Sequence, residues 1–372
     1  MAGGGVGVTQ RVAETTIEEW ARKVSEETEK HLVLLALMKK KGRIETGCSG
    51  GQTRWVVRVD DHELNGFPDA VPVGFTRKNT KTSATLPWRG YYVQDTITLR
   101  EKLEQGGPEA MIKIFADREE LMRRGAIRRL ASEFFKDGNL AVNVSAEAFH
   151  GIESFLGIAA QTNTDALQTT SNDTYGGLST AVSGISSYSP RAWTPTIVNT
   201  GKVVSAVTQS WADYADEYIR KGLLQTTYGT GPDDRPDLIL LNRDGYEALL
   251  NLMDDKERIP VSRGSSLALT QLGFGNHVEL DGCAVMWDAA VPDTDASPYG
   301  EDSVDVEGYM FTTGRMKLKV LGNPGSKNLF TSKVTFNDSY RADNIFMHLL
   351  GNLVFESPRH FGAFKNIASV AS

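Results

Sequence analysis

Apolar positions recur at helical spacing in several stretches of the chain and at strand spacing in others. Ile17, Trp20, Ala21, Val24, His31, Leu32, Leu35 and Met38 fall near a 3.6-residue period, behind a Thr16/Glu19 pair that reads as a capping box. This pattern predicts an amphipathic arm whose apolar face needs a partner surface. Gly42 ends it, and Lys39, Lys40 and Lys41 suit the negative end of the helix dipole. A longer helix is predicted from Pro108 to Lys136, with Met111, Phe115, Met122, Ala126, Leu130 and Phe134 on one stripe, stopped by Asp137 and Gly138. At 1.5 Å per residue it is a rod of about 40 Å. A third helix is predicted over Ile197 to Leu223, and a fourth from its cap, Asn242, through Met253.

Strand-like runs occupy Thr53 to Val59 and Trp88 to Arg100, where Tyr91, Val93, Ile97 and Leu99 alternate with polar neighbours. Between these runs lie roughly thirty residues with few apolar anchors, a length that is usually functional or ordered by a partner. The runs predict a hairpin with a long projecting tip rich in Arg77, Lys78 and Lys81. Further strands are predicted at Leu238 to Leu241, Gly282 to Met286, Gly308 to Phe311, Met316 to Leu321, Asn328 to Phe336 and Asn344 to Phe355. Gly151 to Thr196 reads as loop and turn. Helices and strands mix without a regular βαβ repeat, so the class is α+β.

Composition narrows the function. The 372 residues carry 40 Lys and Arg against 47 Asp and Glu, a formal charge of -7, which gives no global attraction to phosphate. Two Cys and six His leave little material for a disulfide framework or a metal site. The glycine-rich start, Met1 to Gln10, lacks the basic region and apolar run of a signal peptide, so none is expected. The most apolar run, Leu32 to Met38, is far shorter than the about 20 residues a membrane span needs.

The sharpest catalytic lookalike is Gly47-Cys48-Ser49-Gly50-Gly51, a match to the GxSxG nucleophile elbow. That elbow requires a strand before the serine and a helix after it. Here Lys39 to Thr46 makes a poor strand and Gln52 to Val59 reads as a strand, so the motif is expected to be a turn between helix and hairpin. Gly201-Lys202 fails as a phosphate loop at both ends, with Thr196 before it and Val203 after it. Asp293, Asp295 and Ser297 imitate a calcium loop, but Pro298 and Val304 stand where glycine and a bidentate acid belong. Arg123, Arg124, Arg128 and Arg129, beside Glu119, Glu120 and Glu133, read as a salt-bridged helix face.

The order of the pieces is itself informative: arm, projecting hairpin, long helix, mixed body, returning strands. Phe134-Phe135-Lys136-Asp137-Gly138 with Gly151-Ile152, Thr174-Tyr175-Gly176-Gly177-Leu178 with Trp193, Pro236 to Asn242, and Pro358 to Phe364 together resemble the major capsid (coat) proteins of tailed bacteriophages. The resemblance runs from about Thr16 to Phe364 and implies the Hong-Kong-97-like capsid fold. It implies an N-terminal arm (1–45), an extended hairpin loop (46–105), a peripheral domain with a spine helix (106–150), an axial domain (151–321) and peripheral C-terminal strands (322–372). The chain would self-assemble into pentamers and hexamers of an icosahedral head in the virion, built in the host bacterial cytoplasm and enclosing double-stranded DNA without reading it. A separate scaffolding protein, a portal protein and a decoration protein are the implied partners; no cofactor, metal, catalytic group or membrane is implied. Arg77, Lys78, Lys81, Trp88, Arg123, Arg124 and Arg128 are the candidate inter-subunit contacts. Some relatives carry an isopeptide cross-link, for which Lys78 or Lys81 with Asn352 would be the pair. Two alternatives stand beside this reading: an encapsulin-like compartment of the same fold, and a serine hydrolase using Ser49.

Overall fold

The computed structural model describes residues 33–59, 80–98, 100, 118, 121–122, 124–126, 128–156, 167–168, 174–182, 185, 191–201, 203–204, 207–227, 234–255, 277–292, 305–322, 329–337 and 342–366. The capping box at Thr16, most of the arm, the first part of the long helix, the tip between the hairpin strands and the calcium-loop lookalike lie outside these residues.

The strands in chain order begin with β1 (Ile44–Cys48), β2 (Gln52–Arg58), β3 (Lys81–Pro87) and β4 (Arg89–Thr98). Short pieces follow: β5 (Leu167–Gln168), β6 (Thr174–Tyr175), β7 (Leu178–Ser179), β8 (Thr196–Asn199), β9 (Val203–Val204) and β10 (Val207–Thr208). The body adds β11 (Leu238–Leu241), β12 (Val278–Leu280), β13 (Cys283–Trp287) and β14 (Asp305–Phe311). The chain closes with β15 (Met316–Leu321), β16 (Thr331–Asn337), β17 (Ala342–Phe355) and β18 (Gly362–Asn366). The helices are α1 (Val33–Lys40), α2 (helical at 121–122, 124–126 and 128–133), α3 (Ala141–Ser145), α4 (Trp211–Thr226) and α5 (Arg243–Asp255).

Two sheets organise the chain. A five-stranded sheet has the order β1-β15-β17-β16, with β4 also paired to β17. A seven-stranded sheet has the order β12-β13-β11-β14-β18-β8-β5. The period-two pattern divides the second sheet cleanly. Ile239, Leu241, Val198, Met310 and Phe364 face α4 and α5 in one core. Leu238, Leu240, Tyr309, Phe311 and Ala363 share another core with Phe135 and Phe155. Each such side chain removed from water is worth roughly 1.5–3 kcal/mol, which is what seats the helices. Trp211 on α4 adds a polar link, donating from Nε1 to the Gly245 carbonyl at 2.8 Å.

Several elements match the pattern-based expectation closely: β11 and β15 have the expected bounds, and Gly245 N donates to Asn242 Oδ1 at 2.6 Å at the start of α5. Others are corrected. The Trp88–Arg100 run does not pair with Thr53–Val59; β4 pairs antiparallel with β17, from Arg89↔Gly351 to Thr98↔Ala342. The partner of β2 is β3, from Gln52↔Pro87 to Arg58↔Lys81, inside the stretch read as loop. Ile197 belongs to a buried strand, β8, and the helix expected there starts only at Trp211. Strand β18 follows the three-residue helical turn Pro358–His360 and parallels β8. Strand β15 lies in the five-stranded sheet and β18 in the seven-stranded one.

The described end of the arm has a partner surface within the chain. All six residues from Val33 to Met38 are buried, and α1 packs against β15 and the turn Thr313–Arg315. A ladder of half-exposed charges holds the strand that follows it: Glu45 pairs with Lys317 at 3.1 Å and Lys319 at 3.6 Å, and Lys317 also reaches Glu356 at 3.2 Å. The GxSxG stretch is a turn followed by a strand, as expected, and only the segment before it differs, since Ile44–Cys48 forms a strand where a poor strand former was read. Strand β1 enters Ser49 and strand β2 leaves it, so no helix N-terminus stands behind the serine. Among the described residues no group of three or more metal-ligating side chains gathers, and no helix is long and apolar enough to cross a membrane.

Candidate assembly surface

The β2–β3 hairpin is a two-stranded sheet, a structure that is marginal alone and must pack one face. Its inner face supplies Thr53, Val57, Ala84 and Leu86, all buried. The outer face of β2 presents Gln52, Arg54, Val56 and Arg58, all exposed, with Val56 at 69%. Lys81, exposed on β3, stands opposite Arg58 in the register, and Arg54 donates to Ser83 Oγ at 2.9 Å. The hairpin thus carries a cationic outer face with an apolar centre.

A turn clamps the base of this hairpin. Gly176 sits at φ +61, and an added Cβ would meet the Ala84 Cβ at 2.7 Å, so only glycine brings the turn this close. Its carbonyl accepts from Thr85 N at 3.0 Å. Tyr175 packs against Trp55 with ring centroids 6.0 Å apart and against Trp193 at 6.2 Å. Tyr175 Oη accepts from Phe355 N at 3.0 Å, and burial pushes its phenol far above the ordinary value. The Thr174–Leu178 motif and Trp193, distant in sequence, therefore join hairpin and five-stranded sheet at one point.

A second junction lies at the end of α2. Glu133 is fully buried and accepts from Tyr91 Oη, from Lys136 Nζ at 2.8 Å, from Arg129 Nε at 2.7 Å and from Phe149 N at 3.1 Å. Two cations and two neutral donors compensate the buried carboxylate, as burial of a charge requires. Burial, with the Glu133 charge beside it, raises the Tyr91 phenol well above its ordinary value. Gly151 closes the junction: an added Cβ would lie 2.6 Å from the carbonyls of Glu133, Phe134 and Lys136. Nearby, His150 N donates to Asn352 Oδ1 at 3.0 Å, while Asn352 Nδ2 donates to the Pro87 carbonyl at 2.7 Å and lies 2.9 Å from His150 Nδ1. Asn352 is fully buried and spent inside its own chain, which corrects the expectation that it faces a lysine of another subunit.

Of the expected contact residues, Lys81, Trp88, Arg124 and Arg128 are described. Lys81 lies on the hairpin. Trp88 is half-buried and donates from Nε1 to the Gly50 carbonyl at 2.7 Å, holding the glycine turn after Ser49. Arg124 and Arg128 are exposed on α2. Arg77, Lys78 and Arg123 lie outside the described residues. Arg54, Val56 and Arg58 belong to no motif, although the alternation in Gln52–Arg58 marks them as one face. Glu153 and Lys365 are joined by no local pattern in the sequence.

The helical layer has the opposite charge. Helix α4 holds Asp213, Asp216 and Glu217 against Arg220 and Lys221, and α5 holds Asp244, Glu247, Asp254 and Asp255 against Arg243. Asp213, Glu217, Asp244, Glu247 and Asp254 are exposed.

No protein-family model and no curated protein sequence matches the chain. Solved structures do. The capsid of an empty GTA particle aligns with a TM-score of 0.50 and 9% identity over 88% of both chains. The mature capsid of bacteriophage PhiM1 aligns at a TM-score of 0.49 and 12% identity, over 87% of this chain and 85% of that one. The holo-SrpI encapsulin of Synechococcus elongatus aligns at 0.48 and 10% identity, over 87% and 84%. The first of these alignments, extending over nearly the whole of both chains, defines the fold: the chain has the capsid-shell fold that its motif order resembles.

Proposed function

We propose that this chain is the major capsid protein of a tailed-phage-type particle. It associates into pentamers and hexamers of an icosahedral shell that encloses double-stranded DNA. The observation that carries the reading is the capsid-shell fold, aligned over 88% of the chain with a particle capsid. In this reading the β2–β3 hairpin is the extended loop that overlaps a neighbouring subunit. The five-stranded sheet with α2 forms the peripheral domain, and the seven-stranded sheet with α4 and α5 forms the axial domain. Exposed Val56 gains burial only when a neighbour covers it, so subunit stability is coupled to concentration through assembly. Lys81, Trp88, Arg124 and Arg128 are proposed contacts with neighbours, as are Arg77, Lys78 and Arg123.

The acidic balance suits a container that must release its DNA, because a net charge of -7 supplies no general attraction to phosphate. The proposed partners are a scaffolding protein, a portal protein and a decoration protein, and the proposed locations are the host cytoplasm during assembly and the virion afterwards. Negative-stain microscopy of the purified chain, alone and co-expressed with its neighbouring genes, tests the proposal. Closed shells or rings of five and six are expected. A monomer that never assembles at high concentration in either setting overturns it. Shells loaded with one specific enzyme instead of DNA would favour the compartment alternative.

A further inference from the structure

We propose that the outer face of the hairpin docks on the acidic stripe of α5 in a second copy of this chain, with Arg54, Val56 and Arg58 meeting Glu247, Leu250 and Asp254. The inference rests on the shell reading and names the two surfaces that meet. Both have the same layout, an apolar centre flanked by charges, and the charges are of opposite sign. On β2, residues two apart share a face, so Arg54, Val56 and Arg58 form one row, with the two arginines about 13 Å apart. On α5, positions three, four and seven apart share a stripe. Glu247, Leu250 and Asp254 therefore form a row whose carboxylates stand about 10 Å apart. The flexible arginine stems absorb the difference, and planar guanidinium groups suit paired carboxylates.

The occupant is a second copy because the first cannot supply the contact. The hairpin packs its inner face, through Val57, Ala84 and Leu86, into the core on one side of the seven-stranded sheet. Helix α5 packs Leu249 and Met253 into the core on the other side of that sheet. Val56 is exposed and Leu250 half-buried in the single subunit, so both gain burial from the contact. Lys81, opposite Arg58, adds a third cation to the same end of the face and biases the approach toward an acidic surface.

The test uses charge reversal in the full chain, read by sedimentation and electron microscopy. Arg54→Glu with Arg58→Glu should cut assembly about tenfold or more, as should Glu247→Arg with Asp254→Arg, since each set places like charges face to face. Combining all four substitutions in one chain should restore assembly toward wild type, because the signs are then complementary again. Failure of the fourfold variant to exceed both double variants overturns the inference. In parallel, assembled Val56→Cys/Leu250→Cys particles should give a ladder of disulfide-linked chains on oxidation, and particles that yield only monomer also overturn it. If the wild-type chain forms no particle or ring at all, it is the shell reading that fails; if wild type assembles and these variants behave like it, only the docking inference fails.

Discussion

Lys365 Nζ donates to Glu153 Oε2 at 2.9 Å, with the two side chains 0% and 2% exposed. Lys365 Nζ also reaches the Leu156 carbonyl at 3.2 Å, so the pair ties strand β18 of the seven-stranded sheet to the turn Ile152–Phe155. Removing one partner strands a buried charge. Lys365→Met alone is expected to cost about 3–5 kcal/mol, whereas Lys365→Met with Glu153→Leu should cost clearly less, because neither ion is then left behind. Urea unfolding of the dissociated subunit measures both. Equal losses in the single and double variants would refute the pairing as the source of the effect.

The Glu133 junction should respond differently to loss of its neutral and its charged donors. Tyr91→Phe deletes one hydrogen bond and leaves the carboxylate its two cations, for an expected loss of about 1–2 kcal/mol. Lys136→Met removes a cation from a fully buried acid and should cost more, about 3 kcal/mol. Thermal or denaturant melts rank the two variants. A Tyr91→Phe loss larger than that of Lys136→Met would contradict the assignment of the cations as the main compensation.

Acid should weaken the subunit through His150. Burial, and secondarily the nearby Arg89, lowers its pKa from the ordinary 6.5 to about 4. The folded state therefore holds the imidazole neutral where the unfolded chain already binds a proton. Its contribution is fully present above pH 6.5, and it is lost as pH falls from there to about 4. The total is roughly 3 kcal/mol. His360, lowered likewise to about 4 by burial and by Arg359 and Arg315, adds to the same window. His150→Asn should flatten the stability profile between these pH values, and an unchanged slope would rule out His150 as a source of the acid sensitivity.

Gly151 should not tolerate a single added methyl group. Three backbone carbonyls, of Glu133, Phe134 and Lys136, would stand 2.6 Å from the new carbon, and none can rotate away as a side chain would. Gly151→Ala is expected to destabilise by more than about 2 kcal/mol, as overpacking against rigid surroundings does. Gly51→Ala is the control, because an added Cβ there meets nothing within 4 Å. Comparable soluble yield and melting behaviour for the two variants would sink the prediction.

Features that depend on residues close along the chain were legible in the pattern of apolar and polar positions. Strands β11 and β15 appear where continuous or alternating apolar runs placed them, and Asn242 caps α5 because its side chain reaches a backbone N–H only three residues on. The motif order also carried the fold class. The tertiary structure alone decided which strands became neighbours. Strand β4 had the right alternation, yet its partner lies some 250 residues later in β17, while β2 took β3 from a stretch with too few apolar residues to announce a strand. Ile197 and Val198 fit a helical spacing with Trp211, but burial on both faces of the large sheet made them a strand. The Glu153–Lys365 pair and the split of cationic hairpin from acidic helices were equally out of reach. Periodicity says that a face will be covered; which surface covers it is set by long-range packing, where β-branched and aromatic residues gain as much from one partner as from another until the whole core closes.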